Sequence, residues 1–231
     1  MPDTLVITYE DNHVIAAVKP PGMPAQADSS GDEDMLSLVK GYIKRRYDKK
    51  GEAYAGLLHR LDRPVGGLML FARTSKAASR LSGQLSRGEM TRSYLALVRG
   101  SPPGGSLSGY MAKDSRLNIS RVYDCPHAGA KEARLSYERL EEKGGESLIA
   151  VTLGTGRSHQ IRAQMAHAGY PLIGDVKYGG AAVGALVKLW AYKLVFKHPV
   201  SRDTIELKAK WQEIICRGYS YDIDSDGEPG G

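Results

Sequence analysis

The chain has 231 residues, 42% of them hydrophobic, with 32 Lys and Arg against 26 Asp and Glu and a net charge of +6. This size and apolar content suit a globular core, and no run approaches the ~18 consecutive apolar residues of a membrane-spanning helix. Four acids and no base fall within residues 218–231, leaving 32 basic against 22 acidic residues in the remainder, an excess suited to a polyanionic partner such as nucleic acid.

Residues 5–8 and 13–18 read as two short strands. Met35, Leu38, Val39, Tyr42 and Ile43 then recur at helical spacing after Asp32 or Asp34 as a cap. That helix ends in Lys44, Arg45, Arg46, Lys49 and Lys50, a cluster that reads first as a solvated helix end complementing the dipole, with a phosphate contact as the alternative. A strand over 67–72 precedes a second helix over 75–87, with Ala78, Leu81 and Leu85 inward and Gly88 at its carboxyl end. After a strand over 91–98, residues 100–109 hold two prolines and four glycines and are expected to form a flexible loop. Strands over 133–139 and 147–153 lead to a third helix, which starts near Ser158 as N-cap, carries Ile161 and Met165 on one face and stops at Gly169. Two more strands are expected over 188–196 and 204–209.

Strands and helices do not alternate strictly, so the expected class is α+β: a mixed, largely antiparallel sheet flanked by helices and loops. One domain is expected over residues 1–217, followed by an acidic, Gly-rich, disordered tail over 218–231. The widely separated Cys125 and Cys216 form no metal or disulfide framework and suit a reducing cytosol. The amino terminus lacks a basic region followed by an apolar run, so no export signal is expected.

Three stretches carry candidate chemistry. In His59-Arg60-Leu61-Asp62-Arg63-Pro64, period-two alternation sets Leu58, Arg60 and Asp62 on one side of an extended segment, with Leu57, His59 and Leu61 opposite. Alone, Asp62 reads as a turn residue satisfying local donors. Gly154-Thr155-Gly156-Arg157-Ser158-His159-Gln160-Ile161-Arg162 places a glycine-flanked turn at a helix start, where backbone N–H groups and Arg157 suit a phosphate. Arg162 lies off the apolar face; if it meets Asp62, the pairing favours the ionised carboxylate, and otherwise it is an arginine exposed on a helix. Tyr94 shares a strand face with Arg92, Ala96 and Val98, where a phenol stacks on a base or simply packs.

Together these stretches resemble the pseudouridine synthases of the large-subunit-rRNA type, the RluA family. The family's His-Arg-Leu-Asp core is matched at His59–Asp62, its Arg/Lys-x-Tyr-Leu-Ala motif at Arg92–Ala96, and its Thr-Gly-Arg-x-His-Gln-Ile-Arg motif at Thr155–Arg162. Val18-Lys19-Pro20-Pro21-Gly22, Gly174-Asp175 with Tyr178-Gly179, and Lys197-His198-Pro199 also stand in family order. Two departures are visible: Val65-Gly66-Gly67 replaces the usual Thr-Ser-Gly, and Trp190 replaces a common His. The chain opens directly on its first strand, so no separate S4-like RNA-binding domain is expected.

The resemblance implies a pseudouridine synthase fold with a central active-site cleft, and isomerisation of a uridine in rRNA or tRNA. Asp62, Tyr94 and Arg162 are then the catalytic residues, and Arg60, Arg157, His159 and Gln160 the RNA-binding ones. No cofactor, metal or membrane is expected, and the enzyme is expected to be a cytoplasmic monomer. Two rivals stand beside this reading. A non-catalytic RNA-binding module would use the same scaffold, and a glycosidic hydrolase would ordinarily need two carboxylates roughly 5–10 Å apart.

Overall fold

A computed structural model describes residues 5–181 and 183–210. The expected tail over 218–231, like Cys216, lies outside the described residues. The described chain forms two compact units, one from residues up to Arg92 with Lys193–Ala209, the other from Ser93–Tyr192.

In the first unit, β1 (Val6–Glu10) pairs antiparallel with β2 (Val14–Lys19), and β2 with β4 (Gly66–Ala72). A two-residue strand, β3 (Gly56–Leu57), also pairs with β4, and β10 (Leu189–Lys197) pairs with β11 (Thr204–Lys208) through Lys193–Lys197. Every residue of β4 is buried, which is why its sequence is a continuous apolar run rather than an alternating one. One core joins Val14 and Ala16 of β2, Leu68 and Leu70 of β4, Leu81, and Leu194 and Phe196 of β10.

Helix α1 (Met35–Arg46) starts at Asp34, whose carboxylate accepts from the Ser37 N–H at 3.1 Å and the Ser37 hydroxyl at 2.6 Å. It buries Met35, Val39 and Ile43, the stripe its spacing predicts. Helix α2 (Ser75–Ser86) is capped by Thr74 and buries Ala77, Leu81 and Gln84. The Gln84 amide donates to the Lys197 carbonyl at 2.7 Å and accepts from the Lys197 N–H at 3.0 Å, completing that strand residue's hydrogen bonding.

The second unit is an antiparallel array. β5 (Thr91–Arg99) pairs with β9 (Glu146–Leu153), β9 with β8 (Lys131–Lys143), β8 with β6 (Gly105–Asp114), and β6 with β7 (Ile119–Tyr123). The α+β expectation, mostly antiparallel with three helices among the described residues, therefore stands. The loop expected over residues 100–109 does not hold throughout. Residues 105–109 belong to β6 rather than a flexible loop, because β8 supplies the ladder from Gly105↔Tyr137 to Gly109↔Ala133. Trp190, at the position where family members carry His, is completely buried.

Helix α3 (Gln160–His167) starts one residue later than the Ser158 cap predicts. The N-cap is His159, in left-handed backbone at φ 55° and without a side-chain cap bond, and the Ser158 carbonyl is occupied by the Ser120 hydroxyl at 2.7 Å. Residues Gln160–Met165 are all buried, so Arg162 is no exposed helix arginine: it is 4% exposed.

Candidate active site

Asp62 stands in the loop between β3 and β4, half-buried, and its carbonyl accepts from the Val65 N–H at 2.9 Å to close a tight turn. The regular alternation expected here fails. Leu58 and Leu61 are both buried while Arg60 is exposed, because the chain leaves the strand at Leu57 and winds through a loop. At the start of β4, Gly67 adopts φ 118°, opposite Lys19 in the ladder, a conformation closed to ordinary side chains. Val65 and Gly66, which stand where the family's usual Thr and Ser are replaced, are both buried.

Lys19 holds this loop from below. It is completely buried at the end of β2, and its ammonium donates to the carbonyls of Met23 at 2.7 Å, Pro20 at 3.0 Å and Arg63 at 3.1 Å. The Arg63 carbonyl accepts a second bond from Gly22 N–H at 2.8 Å. Burial pushes the Lys19 amine down to about 7, while the Asp62 charge opposes that fall and the Arg63 charge adds to it. The residue after the candidate nucleophile and the glycine turn of β2 are thus fastened to one nitrogen.

His59 fastens the other side. Its Nε2 accepts from the Leu70 N–H at 3.2 Å, taking the place of a strand partner just beyond the end of the β3–β4 ladder. That bond assigns the proton to Nδ1, which is buried without a hydrogen-bond partner among the described residues. Burial, reinforced by the Arg92 charge, lowers the imidazole to about 4, so His59 is neutral near pH 7. On the exposed flank, the Arg63 guanidinium reaches Asp32 at 2.6 Å and Asp28 at 3.2 Å, tying residues 28–32 to the Asp62 loop.

The second unit holds Tyr94 and the turn at 154–159. Tyr94 lies on β5 opposite Val151 and is 6% exposed; Leu95, Ala96, Leu97 and Val98 are buried too, so both faces of this strand are covered. The turn hangs on the backbone of Arg134 in β8, whose carbonyl accepts from Gly154 N–H at 2.9 Å, Thr155 N–H at 3.1 Å and the Gln160 amide at 2.9 Å. The Gln160 amide oxygen accepts from Arg157 N–H at 2.9 Å and the Thr155 hydroxyl at 2.8 Å. Gln160 is 3% exposed and clamps this turn from inside. Arg157 is half-buried, with its Nε donating to the Glu132 carbonyl at 2.7 Å.

Arg162 meets Asp175 in a forked pair, Nε to Oδ2 at 2.7 Å and Nη2 to Oδ1 at 2.9 Å. Asp175 is completely buried, and its Oδ1 also accepts from Lys177 N–H at 3.0 Å and Tyr178 N–H at 3.2 Å. Burial works against the Asp175 charge, but the Arg162 bonds and charge and the two backbone donors outweigh it and hold the carboxyl below its ordinary value. The Arg162 guanidinium carbon lies 5.3 Å from the Tyr178 ring centre. The Tyr178 hydroxyl accepts from Ser120 N–H at 2.6 Å and bonds His159 Nδ1 at 2.8 Å. The second unit therefore brings Arg162 and His159 into one network, through two residues, Asp175 and Tyr178, that the sequence marks only as motif landmarks. Lys19 is another such landmark; a lysine closing the apolar run Val14–Val18 is its one signal.

Among the described residues no group of three His, Cys, Asp or Glu is placed to hold a metal ion, and no helix is long and apolar enough to cross a membrane. The family model described as RNA pseudouridylate synthase matches residues 13–167. The chain is 34% identical over 227 residues to the ribosomal large subunit pseudouridine synthase D of Neisseria meningitidis, covering 90% of this chain and 58% of that protein. The synthase D of Xanthomonas campestris is 32% identical over 228 residues, covering 92% of this chain and 68% of that protein. The chain thus spans about three-fifths to two-thirds of these two relatives. The tRNA pseudouridine synthase C of Pasteurella multocida is 30% identical over 247 residues, covering 96% of this chain and 99% of that protein. The solved structure of human RNA Pseudouridylate Synthase Domain Containing 4 superposes with a TM-score of 0.76 at 19% identity, covering 91% of this chain and 90% of that one, which is a likeness of fold.

Proposed function

Because the chain belongs to the RNA pseudouridylate synthase family, we propose that it isomerises a uridine in structured ribosomal or transfer RNA to pseudouridine, with Asp62 as the catalytic carboxylate. The reaction breaks the bond from ribose C1′ to uracil N1, turns the base and joins C5 to C1′; N1 gains a proton and C5 loses one. Atoms and electrons balance within the nucleotide, so the chemistry calls for no redox partner or group donor. Asp62 starts it on the ribose, either by adding to C1′ or by taking the proton at C2′.

The observation that carries this reading is the fixation of the Asp62 loop. Lys19, Gly22 and His59 hold its backbone while the Asp62 carboxylate stays half-buried rather than sealed in the core. A carboxylate needed only for folding has no use for a buried ammonium beneath its loop, whereas one that must meet a ribose carbon benefits from a preorganised backbone.

Chemistry on a base requires taking it out of the stack, at a cost of a few kcal/mol. Tyr94 is proposed to support the flipped base and Arg162 to serve the catalytic carboxylate. Arg60, exposed on the Asp62 loop, and Arg157 and His159, at the turn before α3, are proposed to contact the RNA. The enzyme is proposed to act as a cytoplasmic monomer without a metal.

The deciding assay is tritium release from RNA labelled at uridine C5, run with wild type and Asp62→Ala. Release by wild type and none by the variant is expected. Binding without release by wild type would favour a non-catalytic module, and undiminished release by the variant would remove Asp62 from the mechanism.

A further inference from the structure

The carboxyl end of α1 carries Lys44, Arg45 and Arg46, and Lys49 and Lys50 follow within four residues; all five are exposed. A helix dipole attracts cations only into its last turn, and Lys49 and Lys50 lie beyond the C-cap Tyr47. Lys44 reaches Glu52 at 3.5 Å, and among the described residues the other four form no ion pair with a carboxylate. The dipole therefore accounts for part of this charge and leaves the rest.

This end of the helix is also held still. The hydroxyls of Tyr42 and Tyr47 donate to the two carboxylate oxygens of Glu10, each at 2.8 Å, and the Arg73 guanidinium carbon lies 4.2 Å from the Tyr47 ring centre. The cations thus extend from a platform bolted to β1, which reduces the entropy cost when they engage a partner.

The other end of the same helix begins beside the catalytic loop. Met35 N–H donates to the Pro24 carbonyl at 3.0 Å and Leu36 N–H to Ala25 at 3.2 Å, one and two residues past the Met23 carbonyl that Lys19 binds. Twelve helical residues span about 18 Å, the length of about five stacked nucleotides at roughly 3.4 Å each. We propose that the basic end of α1 is a second RNA-backbone contact, which binds phosphates of the helical segment flanking the target uridine. The identity of that segment rests on the isomerase reading; the contact itself does not.

The test measures binding of a long-stemmed RNA hairpin over a salt series, with wild type, with Lys49→Ala/Lys50→Ala, and with these two combined with Arg45→Ala/Arg46→Ala. Circular dichroism checks that the helix persists. Each cation that no longer neutralises a phosphate is expected to flatten the salt slope by about one, so the double variant should flatten it by about two and bind about tenfold more weakly at fixed salt. In the tritium assay, KM should rise on the long-stemmed RNA, with kcat unchanged, and should not move on an RNA cut back to the target loop. A salt slope unchanged in both variants, or a KM rise that is equal on the short RNA, overturns the proposal. Wild type that binds steeply without releasing tritium overturns the isomerase reading and leaves the basic contact standing.

Discussion

Arg162 and Asp175 face one another through two hydrogen bonds of 2.7 and 2.9 Å, with side chains 4% and 0% exposed. Thirteen residues separate them in the chain, and neither charge is shielded by solvent. Replacing Asp175 by Asn keeps the shape but removes the charge that faces Arg162 in this buried pair. Asp175→Asn should therefore cost about 3–5 kcal/mol, read as a lowered denaturation midpoint, with a fall in kcat because the arginine loses its orientation. A variant with wild-type stability would show that this pair carries no weight.

Lys19→Met leaves the carbonyls of Pro20, Met23 and Arg63 without their shared donor. The Arg63 carbonyl keeps its bond from Gly22 N–H, so at about 1–3 kcal/mol for a buried polar group left unpaired a loss of about 1–3 kcal/mol is expected. Denaturant titration reads the stability, and tritium release reads the accompanying loss of turnover. Preserved activity would mean that the loop holds its shape without the lysine.

Acid should destabilise the fold through His59. Its folded pKa, about 4, lies below the ordinary value of 6.5, so between these two pH values the unfolded chain binds a proton that the folded chain refuses. Stability is full above about 6.5 and is lost as pH falls toward 4, by up to about 3 kcal/mol. His59→Gln should flatten this part of the pH–stability curve; an unchanged curve would assign the acid sensitivity to another group.

Arg63→Ala makes the opposite test. Its ion pairs with Asp28 and Asp32 join side chains that are 39–58% exposed, and pairs so open to solvent add little to stability. Thermal stability should stay almost constant, while proteolysis within residues 28–32 should quicken as the tether is removed. A large fall in melting temperature would mean that the link is structural.

The outline of the fold is legible where a single segment decides its own state. The spacing of Met35, Val39 and Ile43 after an aspartate cap locates the first helix closely, and Leu81 with Gly88 at the carboxyl end locates the second. The first half of β6 is not legible, since its glycines and serines leave little apolar imprint and it is the distant β8 that makes residues 105–109 a strand. The same reason hides the α3 start: Ser158 has the chemistry of a cap, but Ser120, from another strand, occupies its carbonyl, and Gln160 braces the turn.

For the site, the motif order singles out Asp62, Tyr94 and Arg162, but the residues that hold their surroundings are invisible to spacing. Asp175 lies in a loop beyond α3, and Lys19 precedes Asp62 by more than forty positions. Long-range pairing decides both, and no local period records it.

Lys19 has one consequence outside catalysis. An amine with a pKa near 7 is largely unprotonated in mild alkali, the form that attacks acylating reagents, yet in the folded chain it is shut away from them. Its rate of chemical labelling, compared with that of exposed lysines such as Lys49, should therefore time the spontaneous opening of the chain around Asp62 and make this one side chain a built-in clock for the excursions of the active-site loop.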